Sequence, residues 1–268
     1  MSDRKANLAR TFSLAAPEYD AVNGPFFNPI GARLVALASL KPGERVLDVG
    51  CGRGAVLFAA ATAVGPGGSA VGVDLAPGMV TATAADATAL PQVTVQLGDA
   101  EALDLPALSF DAVLSSLAVV FTPDPAAALA SIHRVLKPGG RFGFTAFGAE
   151  DPRWKQPTAA LSGYLPQSSC AKLHPRGQGP GVTPPLLAAA GFTGITTVEH
   201  TAVSHYPDAE AWWRSQWAGG WRAALETIPP DRLPEAREAA IAALQPLAEP
   251  DGTYVRRTAI RYTTATAR

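Results

Sequence analysis

Three acids and three glycines stand at spacings that could do chemistry. Asp48 closes the apolar run Arg45-Val46-Leu47, and Gly50, Gly52 and Gly54 follow at alternate positions. Glycine admits positive φ and lets a ligand reach bare backbone, while amides at the start of a helix over Ala55 to Val64 offer donors to a polar group. Asp74 ends the next apolar run, twenty residues beyond Gly54. In a doubly wound fold an acid placed there accepts two hydrogen bonds from ribose hydroxyls. Asp99 follows a third run, Val93 to Leu97 and Gly98. The pattern is that of a nucleotide-type cradle.

Proton transfer has few candidates, because the chain has four histidines. His133 falls in a helix and is expected to pack. His174 lies in an irregular stretch, and His200 and His205 follow a late strand beside Tyr206. His174, His205 and Tyr206 are the candidate catalytic residues, since loop residues beside a cofactor commonly face substrate. Trp213, Trp217 and Trp221 recur every four residues and share a helix face. That face either packs on the core or covers an apolar or aromatic acceptor, which makes Trp213 and Trp217, with Phe26 of the cluster Pro25 to Pro29, the candidate substrate contacts. Trp212 points elsewhere. Cys51 and Cys170 stand in neither metal nor redox spacing, so no metal centre is expected.

These residues need elements to position them. Strands are predicted over Arg45–Val49, Ser69–Val73, Val93–Leu97, Phe110–Leu114, Arg141–Phe147, Phe192–Val198 and Val255–Thr266. A helix from the Asp124-Pro125 cap to Lys137 precedes the break Pro138-Gly139-Gly140. Strand alternating with helix predicts a doubly wound, mainly parallel α/β sheet covered on both faces. Residues 1–40 read as an N-terminal helical arm or lid, with a flexible aromatic part and a helix from Ile30 to Leu40. Residues 41–148 form the cofactor-binding core, 149–183 a substrate-cap loop, and 184–268 the rest of the core with a helical cap insertion at 206–248.

The 268 residues carry 17% charged residues and a net charge of −1, with no basic run to meet nucleic acid. Glycine and proline total about 18% of the chain, below the ~25–30% of low-complexity sequence. No uncharged apolar run reaches the ~18 residues of a membrane span. A cytoplasmic protein acting on a small molecule, with neither nucleic-acid nor membrane partner, is expected. A homodimer is compatible with the sequence.

Five segments occur in a recognisable order: Val46 to Gly54, Val73-Asp74-Leu75-Ala76-Pro77-Gly78-Met79, Gly98-Asp99-Ala100-Glu101, Phe110-Asp111-Ala112-Val113, and Arg134 to Gly140. Together they resemble class I S-adenosylmethionine-dependent methyltransferases, in the small-molecule branch related to the ubiquinone/menaquinone C-methylases. The resemblance implies a Rossmann-like seven-stranded sheet whose last strand is antiparallel, and S-adenosylmethionine as cofactor. It also implies that the backbone of Gly50, Cys51 and Gly52 meets the methionine portion, with Asp48 orienting its amino group. Asp74 would hold the ribose, and Leu75 and Met79 would lie near the adenine. Asp99 would accept from the adenine amine while the Ala100 amide donates to the ring. Ser115 and Ser116 would contact the methionine end, and Tyr19 would close over the cofactor. The chain departs from many relatives in having Val119, Val120 and Phe121 where they carry a histidine. It also lacks the Asn-Pro-Pro-Tyr-type motif of base methylases.

The expected activity is methyl transfer to a small apolar or aromatic metabolite at O, N or C. Two alternatives stand beside it. The same fold and cofactor can serve a non-methylating cyclisation or rearrangement. A nicotinamide-dependent oxidoreductase also fits the glycines and Asp74, but Asp48 would then face a pyrophosphate with nothing to gain from its charge.

Overall fold

The computed structural model describes residues 2–166 and 182–268. His174 and Cys170 lie outside the described residues. Seven strands form one sheet: β1 Arg45–Val49, β2 Ser69–Asp74, β3 Val93–Leu97, β4 Phe110–Ser116, β5 Leu136–Glu150, β6 Phe192–Tyr206 and β7 Tyr254–Ala267. Their order is β3-β2-β1-β4-β5-β7-β6. Neighbours from β3 across to β5 run parallel, and β7 runs antiparallel to both β5 and β6. The antiparallel strand thus lies inside the sheet, next to the edge.

The central strands are buried on both faces, which is why they read as continuous apolar runs. One face is covered by helix α4 Pro125–Val135, whose Leu129 and Ile132 are fully buried against Phe110 and Phe142. Asp124 caps that helix by accepting from the Ala127 amide at 3.0 Å. Helix α1 Asp3–Leu37 and helix α2 Leu57–Val64 cover the other face, where Ile30, Leu34 and Val35 meet Val56, Ala60 and Val64. Helix α3 Pro77–Asp86 follows β2.

Several elements differ from expectation. The arm over residues 3–29 is helical and continuous with the segment expected from Ile30, although Pro17, Pro25 and Pro29 lie inside it. Each proline removes a backbone hydrogen bond. Burial of Ala15, Ala16, Ile30 and Leu34 along one side holds the helix together across them. The break at Pro138-Gly139-Gly140 falls within β5, as a register shift between the Phe110 and Ala112 pairings. β6 continues past Val198 to Tyr206, because its outer half pairs with β7, with Ala202, Ser204 and Tyr206 half-buried and the residues between them exposed.

The cap has its own core, built on Trp154, Leu161, Trp212, Trp213, Leu225 and Leu244. Residues 149–166, expected as a substrate loop, contribute helical turns to this core, and none of them lines the central cavity. The expected tryptophan stripe is broken. Its first helix, Ala209–Trp217, ends before Gly219-Gly220, and Trp221 caps the next turn, Arg222–Leu225. A third helix spans Leu233–Leu244. Trp212, left without a role by spacing, is 1% exposed at the centre of the cap. No helix among the described residues is long and apolar enough to cross a membrane.

Helix α1 crosses the β1–α2 turn at backbone contact. A Cβ added at Gly31 would stand 2.4 Å from the Ala55 carbonyl oxygen. Gly31→Ala gains about 1 kcal/mol of helix propensity, yet it is expected to lower stability by a net ~1–3 kcal/mol through overpacking. Urea denaturation checks this; a variant as stable as the wild type would mean that α1 does not approach the turn so closely.

Candidate active site

The strand order turns outward in both directions from the β1–β4 pair, and a doubly wound fold opens its ligand crevice beyond the strand ends at such a point. Gly50 begins the turn after β1 with φ +72°, and a Cβ there would lie 2.2 Å from the Ala118 Cβ. The amides of Gly50 and Cys51 both donate to the Val73 carbonyl, at 2.8 and 3.0 Å. The Gly52 amide donates to Asp74 Oδ2 at 2.8 Å. The donors of the turn are therefore satisfied within the protein. They are committed to the neighbouring strand, and the surface left to a ligand attracts cations.

Asp48 is 2% exposed, and neither of its carboxylate oxygens has a hydrogen-bond partner. Burial first, then the charge of Asp74, push its pKa up to about 8, with the Leu57 backbone opposing. An unpartnered buried carboxyl is costly, and a bound ammonium group is the partner that would relieve it. Asp74 is held differently. Gly52 and Ala76 amides each donate to one of its oxygens, the second at 2.9 Å, and these bonds oppose the upward shift from burial. Its orientation is set before any ligand arrives, and its remaining lone pairs can accept from a diol.

Tyr19, from α1, stacks on Phe27 at 5.3 Å and meets Phe12 edge-on at 6.3 Å. Burial, then Asp74 and Asp20, raise its phenol pKa, so it stays a neutral donor. Met79 is buried with Ala16 and Ala76 beside it. Asp99 is not free, because Lys5 Nζ lies 2.6 Å from its Oδ2 and 2.5 Å from Glu101 Oε2. Burial opposes the Lys5 charge, but the hydrogen bonds to the two acids outweigh it and raise the ammonium pKa.

Ser115 departs from the expected contact with the methionine end. Its hydroxyl donates to the Val49 carbonyl at 2.8 Å and accepts from the Val119 amide at 3.0 Å, so it braces β4 and does not line the cavity. Ser116 does line it, paired with Thr145 at 3.1 Å. Leu117, the next lining residue, holds φ +52°, a strained conformation of the kind found at functional sites.

One cavity of about 880 Å³ joins these groups. It runs from Gly98, Asp99 and Ala100, past Leu75, Asp74, Asp48 and Tyr19, to a compartment under the cap. That volume is at the upper end of the ~300–1,000 Å³ of small-molecule sites, so it suits two ligands side by side. The far compartment is lined by Phe26, Phe121, Phe147 and Trp221, with His205, Tyr206 and Arg214. Phe26, His205 and Tyr206 thus line one cavity. Trp213 and Trp217 do not, since they pack edge-to-face at 6.2 Å within the cap core. His133 packs edge-on against Phe192 at 5.2 Å, away from the cavity. Nothing in the sequence marks Lys5, Leu117 or Arg214 as cavity residues, and spacing alone groups Trp221 with the stripe. A helix end at Gly219-Gly220 was the one signal that could have separated Trp221 from that stripe. No cluster among the described residues could hold a metal ion.

Residues 47–144 match the family model described as a methyltransferase domain. The nocamycin O-methyltransferase of Saccharothrix syringae is 39% identical over 240 residues, covering 82% of this chain and 85% of that one. The aklanonic acid methyltransferase DauC of Streptomyces sp. (strain C5) is 43% identical over 147 residues, 54% of this chain and 67% of its own. Among solved structures, the [4+2]-cyclase SpnF superposes with a TM-score of 0.64 over 97% of this chain and 95% of that one. At 19% identity that likeness speaks to the fold alone.

The Asp48 environment has a measurable consequence. Its folded pKa of about 8 exceeds the ~3.9 of an unfolded aspartate, so between those values the folded chain binds the extra proton. Stability from this group is therefore greatest at the acid end and is lost as pH rises toward about 8. Melting temperatures of the ligand-free protein are expected to fall across that range, and to fall less steeply in Asp48→Asn. Parallel pH profiles for the two proteins would sink the assignment of a buried, protonated Asp48.

Proposed function

We propose that this chain, which belongs to the class I S-adenosylmethionine-dependent methyltransferases, methylates an oxygen of a small apolar or aromatic metabolite held beneath its cap. One observation carries the reading: a single cavity joins the acids Asp48 and Asp74 to an aromatic compartment closed by Phe26 and Trp221. The acid end suits a ligand with a cationic amino-acid head and a ribose, and the aromatic end suits a flat acceptor. The choice of oxygen follows the nocamycin relative, an O-methyltransferase.

S-adenosylmethionine supplies an electrophilic methyl group, so the protein's work is binding, alignment and exclusion of water. In the proposed site Asp48 gives up its proton and takes the ammonium of the methionine portion, while Gly50, Cys51 and Gly52 lie along that portion. Asp74, already oriented by two amides, accepts from the ribose hydroxyls. Leu75 and Met79 flank the base, and Asp99 and Ala100 meet its edge. Tyr19 covers the cofactor from α1, and Ser116 lies at the methionine end. Phe26, Phe121 and Trp221 hold the acceptor plane. His205 is the proposed proton acceptor for a hydroxyl of high pKa, with Tyr206 beside it; both line the acceptor compartment.

Two substitutions test the division of labour. Asp74→Ala removes charge-assisted bonds worth about 1.5–3 kcal/mol each, so calorimetry is expected to record at least a tenfold loss of S-adenosylhomocysteine affinity; unchanged affinity in a folded variant would place the ribose elsewhere. His205→Gln is expected to cut turnover by about 10²-fold or more with cofactor affinity intact, once an acceptor has been found by mass spectrometry. Full activity at neutral pH would dismiss His205 as the base. Conversion of an acceptor without release of S-adenosylhomocysteine would replace methyl transfer by a rearrangement.

A further inference from the structure

The carboxylate assigned to the adenine edge is already engaged by a cation from the other end of the chain. Lys5 Nζ sits 2.6 Å from Asp99 Oδ2 and 2.5 Å from Glu101 Oε2, with its side chain 12% exposed. The other Asp99 oxygen accepts the Glu101 amide at 3.0 Å, and the other Glu101 oxygen accepts the Asp124 amide at 2.8 Å. Both acids are thereby fixed in rotation, and their charge is partly neutralised. Two of the three ammonium donors are used in doing so.

Lys5 also belongs to the wall of the cavity. Lys5, Leu8, Ala9 and Phe12 line it together, at the spacing of one helix face, and Gly98, Asp99 and Ala100 line the same cavity. A lysine that only anchored the helix end could have paired with any surface acid. This one pairs with the two acids after β3.

We infer that Lys5 is a positioning residue for the nucleobase of the cofactor: by clamping Asp99 and Glu101 it aims the Asp99 carboxylate at the exocyclic amine and so sets the preference for adenine. The inference rests on the proposed S-adenosylmethionine site. Lys5 acts through Asp99 and contributes nothing to the transfer itself. Without the clamp, Asp99 can rotate, and a 6-oxo base that offers an acceptor in place of the amine is penalised less. Helix α1 then joins this end of the cavity to the acceptor end, because the same helix carries Tyr19 and Phe26.

The experiment compares S-adenosylhomocysteine with S-inosylhomocysteine by calorimetry on the full-length wild type, Lys5→Met, Lys5→Arg and Ser2→Gly. Wild type is expected to prefer the adenine ligand by about tenfold or more. Lys5→Met is expected to weaken adenine binding by ~tenfold and to bring the ratio of the two affinities near one. Lys5→Arg keeps the cation and is expected to restore most of the preference. Ser2→Gly removes the hydroxyl that caps the same helix end and leaves the ammonium, so the ratio should stand. If Lys5→Met weakens both ligands equally, or if Ser2→Gly reproduces its effect, Lys5 merely anchors α1 and the inference falls. Should Lys5→Met melt the helix end, Glu101→Gln leaves α1 unaltered and is expected to lower the preference by itself; an unchanged ratio there overturns the clamp. A wild type that binds neither ligand rejects the cofactor site, a different failure from one confined to the variants.

Discussion

Two carboxylates, Asp48 and Asp74, face one cavity from neighbouring strands, and among the described residues no cation pairs with either. Everything around the site follows from how that repulsion is managed. Asp74 is stabilised as an anion by the amides of Gly52 and Ala76. For Asp48, burial and the Asp74 charge outweigh the opposing Leu57 backbone and push the pKa up to about 8. The glycine turn serves this arrangement. It commits the Gly50 and Cys51 amides to Val73 and the Gly52 amide to Asp74. The crevice is therefore ready for a positively charged guest and unsuited to a pyrophosphate, which separates it from the nicotinamide sites that share its glycine spacing.

Helix α1 links the two ends of the site. At 35 residues it is about 50 Å long, and it touches the core at points far apart along its length. Ser13 accepts the Gly78 amide at 3.1 Å, the Ala16 carbonyl accepts from Arg53 at 2.7 Å, and Asn23 donates to the Ala218 carbonyl at 2.8 Å. The first two contacts bind it to the cofactor half and the third to the cap. A displacement of the helix is thus felt in both compartments. Close approach at Gly31 limits how such a displacement can occur.

The cofactor half was legible in the sequence because its signals are local. Each strand from β1 to β3 ends on an acid or glycine within a few residues, and α4 is announced by Asp124-Pro125. The features that escaped are those decided by distant partners. Nothing near Lys5 marks it as the counterion of an acid 94 positions away. Pro17, Pro25 and Pro29 argue locally against helix, and only tertiary burial reverses them. The tryptophan spacing is real but crosses a helix end, and of its two readings, packing or acceptor contact, Trp213 and Trp217 follow the first by filling the cap. The outer half of β6 escaped for a related reason: Thr201 to Tyr206 alternate in burial but not in polarity, so the sequence carries no pattern to read.

Most of the cap is inserted between Tyr206 and Tyr254, which face each other as the last paired rung of β6 and β7. The chain leaves and re-enters the sheet within one strand spacing, so closing the insertion strains neither strand and adds little loop entropy to the core. In evolutionary terms, this lobe can lengthen, shorten or change its lining at one hinge of attachment while the sheet keeps its register. A lineage built on this plan can diversify what it modifies faster than it changes how it binds its cofactor. The family match over residues 47–144 stops short of this lobe, as such a history would leave it.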